Sequence, residues 1–166
     1  FDGRVMLQPD APAWQVATLF TVVLFLMEDA SKYWVHRAMH RWSVLWAFHK
    51  THHTAETLTP VTVYRTHPVE AIIFSLRASV VQAVAVGGFL YFFGARAELL
   101  TVLGANIFLF VFNAAGSNLR HSHVWISYGK IIENFLISPA QHQIHHSICA
   151  CHYDRNFGSI LAIWDW

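Results

Sequence analysis

The chain has 166 residues, 55% of them hydrophobic, 15% aromatic and only 13% charged, with a formal net charge of +1 and a mean hydropathy of +0.37. Such a composition is too apolar for an ordinary soluble domain and points to membrane residence. The near-neutral balance, with no basic run interleaved with aromatics, argues against a nucleic-acid partner.

Residue 1 is Phe rather than Met and nothing at the N-terminus resembles a signal peptide, so the expectation is a single membrane-embedded domain over residues 1–166, incomplete at both ends. Ala13 to Met27 is an apolar run that continues through Glu28 and Asp29 into Tyr33 and Trp34. Its uncharged part is short for a full span of ~20 residues, which places the acids at the interface or in the protein interior. Val69 to Phe93 is a second span, apolar except for Glu70, Arg77 and Gln82, and a third runs from about Ala97 to Ala115. Gly94-Ala95-Arg96 between them reads as a tight turn, which makes the two a helical hairpin.

A hairpin returns the chain to the side it left, so the segments on either side of it share one membrane face. Arg37, Arg41, Lys50, Arg65, Arg120, Lys130 and Arg155 lie on that face, against Arg4 and Arg96 on the other, and the positive-inside rule makes it cytoplasmic. The fold expected is all-α: an integral membrane helical bundle, multi-pass, with a cytoplasmic histidine-rich metal-binding cap.

The cap carries most of the twelve histidines, in His36-Arg-Ala-Met-His40, His49-Lys-Thr-His52-His53 and His142-Gln-Ile-His145-His146. Positions three and four apart share a helical face, so each cluster can present its rings together. Neutral imidazole is the commonest protein ligand for borderline transition metals. Eight imidazoles are too many for one ion, since tetrahedral zinc takes four ligands and an octahedral ion six, and a pair of metals is the economical reading. Imidazole suits iron, zinc, copper and nickel alike. Carboxylates near the clusters are few, essentially Glu28, Asp29, Glu56 and Asp154, and fit partners that orient ring N–H groups better than bridging ligands.

Other residues have plainer readings. His67 precedes a proline and, with Glu70, anchors the start of the hairpin; His123 and His152 are not expected to be ligands. Arg77 within a span is either functional or a snorkelling arginine. Trp34, Trp42, Trp46 and Phe48 are either interfacial belt residues or substrate walls. Asn156 and Gly158 shape a turn. Cys149 and Cys151 are too close for an ordinary disulfide and read as reduced thiols.

The order His36-x3-His40, His49-Lys-x-His52-His53, Asn118-Leu-Arg-His121-Ser-His123 and Ser138-Pro139-Ala-Gln-His142-Gln-Ile-His145-His146-Ser147 resembles the fatty acid hydroxylase superfamily, in particular its sterol-desaturase-like members. His67-Pro68-Val-Glu70, Asp154-Arg-Asn156-Phe157-Gly158 and Trp164-Asp165 support it, and the likeness runs from about Glu28 to Trp166. The resemblance implies an integral membrane hydroxylase or desaturase whose histidine-bound di-iron centre, two Fe ions per chain, activates O2 and attacks an unactivated C–H bond of a sterol, fatty acyl or related lipid. It implies His36, His40, His49, His52, His53, His121, His142, His145 and His146 as metal ligands. Relatives often carry a further histidine four residues before His121; Ser117 stands there, so the centre has one ligand fewer, or His123 or a water fills in.

A lipid tail has to reach the metals through a dry channel, expected to be lined by Phe, Leu and Val. No cytochrome segment or flavin fingerprint is present, so electrons are expected from a separate donor protein of cytochrome, ferredoxin or reductase type. Two other classes fit the sequence less well. A histidine-rich metal transporter or haem-binding membrane protein is disfavoured because haem needs one or two axial histidines and transport sites sit near the midplane. A metal-dependent hydrolase lacks its His-Glu-x-x-His motif.

Overall fold

A computed structural model describes residues 11–94 and 99–166, and gives the backbone alone for 99–101, 117 and 118. The elements are α1 (Ala13–Arg41), α2 (Ser43–His53), α3 (Pro68–Phe93), α4 (Leu99–Arg120), the single turn α5 (Gly129–Ile132) and α6 (Pro139–His145), with 3₁₀ turns at Pro60–Tyr64, Ala150–His152 and Ala162–Asp165. One antiparallel bridge, Leu136 to Leu161, is the strand-like pairing among the described residues.

The apolar run at Ala13 does not stop at its acids: α1 is one helix of 29 residues. Both acids are satisfied where they stand. Glu28 Oε2 pairs with the Arg77 guanidinium of α3 at 2.8 Å, and the Asp29 carboxylate accepts from the Ile160 and Leu161 amides and the Trp164 indole at 2.9–3.0 Å. α3 starts as expected, with Pro68 in its first turn and the His67 ring accepting from the Val69 amide at 3.1 Å. It ends at Gly94, whose φ of +58° suits a residue without a Cβ. Ala95 and Arg96 of the expected turn, Arg4, and the start of the third span at Ala97 lie outside the described residues.

Among the described residues two helices, α1 and α3, are long and apolar enough to cross a membrane. In α4 the apolar stretch with described side chains is Val102–Gly116. Both α3 and α4 pack on α1. The buried stripe Val16, Phe20 and Leu24 of α1 meets Val81, Ala85, Phe89 and Phe93 of α3 and Ala105 and Leu109 of α4. Phe20 stands edge-on to Phe89 at 5.0 Å, and Phe25 to Phe112 at 5.6 Å. The outward faces are also apolar, with Ile72, Leu76, Val80 and Val84 of α3 and Leu103, Ile107, Phe110 and Val111 of α4 exposed.

Above this packed region the same stripe of α1 continues as Asp29, Tyr33, His36 and Met39, all buried. At Trp42 the backbone turns extended (φ −106°, ψ 119°), and the break lets α2 fold against α1 so that histidines of the two helices face one another. α6 comes to the same place from the far end of the chain, packed on α4.

Candidate metal centre

Nine histidines, the nine named from the sequence, gather here in two groups, each with its ligand atoms within 4.8 Å of one another. His36 and His40 of α1, His49 and His53 of α2 and His145 of α6 form the first; His52 of α2, His121, and His142 and His146 around the end of α6 form the second. Nitrogens on opposite sides of one ion lie about 4.2 Å apart, so each group has the dimensions of a metal site. The His-x-x-His-His clusters do not act as single faces. Four residues turn a helix by ~40° beyond a full turn and three fall ~60° short of it, so His49 and His53 stay together while His52 leans into the other group, and His142 and His146 stay together while His145 leans back.

Tautomers follow from the outer ring nitrogens. His36 Nδ1 donates to the Phe157 carbonyl at 2.8 Å, and His145 Nδ1 donates to the Arg155 carbonyl at 3.0 Å. A carbonyl can only accept, so both rings carry their proton on Nδ1 and a bare lone pair on Nε2. Those Nε2 atoms lie 3.1 Å apart. Two lone pairs at that distance repel unless a cation lies between them, which is what metal ligands require. His49 Nδ1 likewise donates to Glu70 Oε1 at 2.8 Å, turning its Nε2 towards that of His53 at 3.2 Å. In the second group the Nε2 of His142 lies 3.0 Å from that of His121 and 3.2 Å from that of His146, and His121 Nε2 lies 3.2 Å from His52 Nε2. The residues fit a pair of metal ions.

Burial favours the neutral form of several of these rings. Desolvation first, then the neighbouring imidazoles, push His52 down to about 3, and desolvation likewise pushes His145 down to about 4 against the raising effect of the Arg155 carbonyl. His53 and His146 are depressed further, and His142 lies well below its ordinary value, for the same leading reason. A neutral imidazole is the form that binds metal.

The C-terminal segment holds the first group from outside. Phe157 packs its ring on His36, His40 and His145 at 5.1–5.8 Å, and the Asp165 carboxylate accepts from the Phe157 and Gly158 amides at 2.9 and 2.8 Å. A Cβ on Gly158 would meet the Leu161 carbonyl oxygen at 2.5 Å, so no other residue fits there without displacement. Asn156 takes positive φ, 57°, and its amide donates to the Gln141 carbonyl at 3.0 Å; the turn itself lies at Tyr153 and Asp154, just before the Asn156 and Gly158 expected to shape it. α6 is positioned by a capping box: Ser138 Oγ accepts from the Gln141 amide while Gln141 Oε1 accepts from the Ser138 amide. Ser138 Oγ donates in turn to Glu133 Oε1 at 2.6 Å.

Some expectations are corrected. Among the described residues none of Glu28, Asp29, Glu56 and Asp154 reaches a histidine ring; they meet Arg77, the C-terminal amides, no hydrogen-bond partner and Arg41 respectively. The carboxylate that does is Glu70, which was assigned to the hairpin start together with His67; His67 alone caps α3. An acid in the first turn of a largely apolar helix, only 3% exposed in the fold, was the signal that could have found it. The aromatics divide. Trp46 lies against His40 and His53 at 5.1 and 5.4 Å, whereas Trp34 and Trp42 point outward. His123 is exposed and joins neither group, and the Ser117 side chain lies outside the described residues. Exposed Cys149 and Cys151 stand beside His152, away from both.

Three cavities touch the histidines. Two, of about 530 and 540 Å³, flank His53 and His146 on the outer side. The third, of about 310 Å³, reaches His36, His49, His52, His121 and His142 from the bundle side. Its wall differs from the apolar channel expected: Lys32, Glu70, Arg77 and Arg120 line it with Val63 and Phe74.

The sequence pattern of the Fatty acid hydroxylase family matches residues 21–166. A Delta(7)-sterol 5(6)-desaturase of Gibberella zeae is 30% identical over 148 residues, which cover 89% of this chain and 41% of that protein. An ornithine lipid hydroxylase of Rhizobium tropici is 29% identical, covering 92% and 41%, and the alkylglycerol monooxygenase of Homo sapiens is 28% identical, covering 85% and 28%. The chain thus spans less than half the length of these relatives. No solved structure matches it.

Proposed function

The chain belongs to the fatty acid hydroxylase family, and on that premise we propose that it carries the di-iron centre of an O2-dependent lipid hydroxylase or desaturase. The observation that carries the reading is the convergence of nine imidazoles on two neighbouring sites, eight of them with Nε2 turned towards another ring's Nε2. His36, His40, His49, His53 and His145 hold one iron; His52, His121, His142 and His146 hold the other. Bound there, iron supplies the O2-activating redox chemistry that oxidation of an unactivated C–H bond demands and that zinc or magnesium lacks.

The chain's own groups do the rest. Glu70 and the Phe157 and Arg155 carbonyls fix the ring tautomers. Phe157 and Trp46 shield the first group from water. The relatives named above are a sterol desaturase, a lipid hydroxylase and an alkylglycerol monooxygenase, which favours a lipid entering from the bundle side. The apolar outer faces of α1, α3 and α4 favour a multi-pass protein in the bilayer, and the basic residues around the cap favour a cytoplasmic metal site. Electrons come from a separate donor protein of cytochrome, ferredoxin or reductase type.

The test is metal analysis of detergent-purified protein expressed with iron, followed by incorporation of labelled O2 into a lipid panel. Near two irons per chain and labelled or desaturated product are expected, with His145→Ala losing both while still inserting into membranes. Full activity in His145→Ala, or haem absorbance, would overturn the assignment.

A further inference from the structure

Each of the three long helices contributes one cation to the bundle-side cavity. Lys32 stands one turn before His36 on α1, Arg77 two turns beyond Glu70 on α3, and Arg120 directly before His121 on α4, and all three line the same cavity of about 310 Å³. Glu70 is the one carboxylate in the wall described, and its Oε1 is engaged by His49. The other acids at this level, Glu28 and Asp29, face an adjoining space of about 150 Å³. There Glu28 is paired with Arg77, and Asp29 accepts from three N–H groups. Lys32 borders both spaces. Among the described residues its ammonium forms no hydrogen bond and no ion pair, although Asp29 and Glu28 act on it at longer range. A lysine inside an apolar bundle is costly unless something answers its charge, and metal ions in the adjoining histidine groups would make the cavity more positive still.

We propose that this cavity receives an anionic group of the lipid, a carboxylate or a phosphate, with Lys32 as its main contact and Arg77 and Arg120 as flanking charges. The proposal deepens the oxygenase reading, on which it rests for the reaction itself. Residues one helical turn apart have their Cβ atoms roughly 6 Å apart. An anion held at Lys32 therefore lies close to the ring of His36, and the carbon oxidised belongs to the anionic end of the molecule rather than to the middle of a long chain.

The test compares binding of oleate, monooleyl phosphate, oleyl alcohol and cholesterol to the detergent-purified chain at fixed ionic strength, with iron content read on the same samples. At least one of the two anions is expected to bind about tenfold more tightly than oleyl alcohol, and the better of the two names the group. Lys32→Gln is expected to abolish that preference and Lys32→Arg to keep it. Equal binding of anions and alcohol by the unmodified chain, tighter binding of cholesterol than of either anion, or an unchanged preference in Lys32→Gln would overturn the proposal. Iron content reports on the oxygenase reading separately: a chain that prefers anions yet takes up no iron refutes that reading and leaves the anion site standing.

Discussion

From Val16 to Leu24 the buried stripe of α1 meets apolar side chains of α3 and α4, whereas further along the same stripe Asp29 and His36 meet polar atoms far along the chain. Asp29 is held by amides 131 and 132 residues away and His36 by a carbonyl 121 residues away. Apolar packing tolerates exchange of one side chain for another of similar volume. A buried carboxylate holding three donors does not, because removing it leaves each donor unanswered. One end of the helix is specified by shape and the other by atoms.

The largest effect should come from the polar end. Asp29→Ala removes the acceptor of one buried and two part-buried N–H groups, and a loss of about 3–5 kcal/mol is expected, seen as release of the segment from Phe157 to Trp166 to protease and loss of bound metal. Retention of metal by this variant would show that the C-terminal tie is dispensable. At the apolar end Leu24→Ala should cost about 2 kcal/mol in thermal unfolding in detergent, the low end for such a cavity, because lipid is as apolar as the core it replaces. Metal content should be unchanged, which separates the two halves. Glu70→Gln keeps the shape of the His49 contact but weakens its charge; iron affinity is expected to fall by about 10–100-fold, measured by competition with a chelator, with little change in melting temperature.

The smallest effect concerns the cap of α6. Ser138→Ala should cost about 1 kcal/mol. The Ser138 hydroxyl is also the leading cause that holds Glu133 below its ordinary value of 4.5. A carboxyl depressed in the folded state adds stability above its unfolded pKa and loses it as the pH falls through the lower folded value. The difference between the native chain and Ser138→Ala should therefore be full above about pH 4.5 and shrink below it. A constant difference across that range would remove Glu133 from the account.

The histidine clusters are legible in the sequence because histidines three and four positions apart share a helical face, and the long apolar runs carry the helices. What it did not carry was anything joined across the chain. His49 and Glu70 are 21 residues apart on different helices, and no local period links them. Glu28 and Asp29 stand next to the first cluster in sequence but point away from it, one to Arg77 and the other to the C-terminal amides. Lys32 was hidden for a related reason: a single charge beside aromatic and histidine residues reads as interfacial until α3 and α4 close a cavity around it.

α2 and α6 each send two histidines to one group and a third to the other, in opposite senses. Neither helix can tilt to release one group without disturbing its neighbour, so the two seats behave as a single mechanical unit. On the two-iron reading proposed above, uptake of a first ion would stiffen the seat of the second, and loading is expected to be all-or-none, with a population of empty and doubly filled chains and few that hold one.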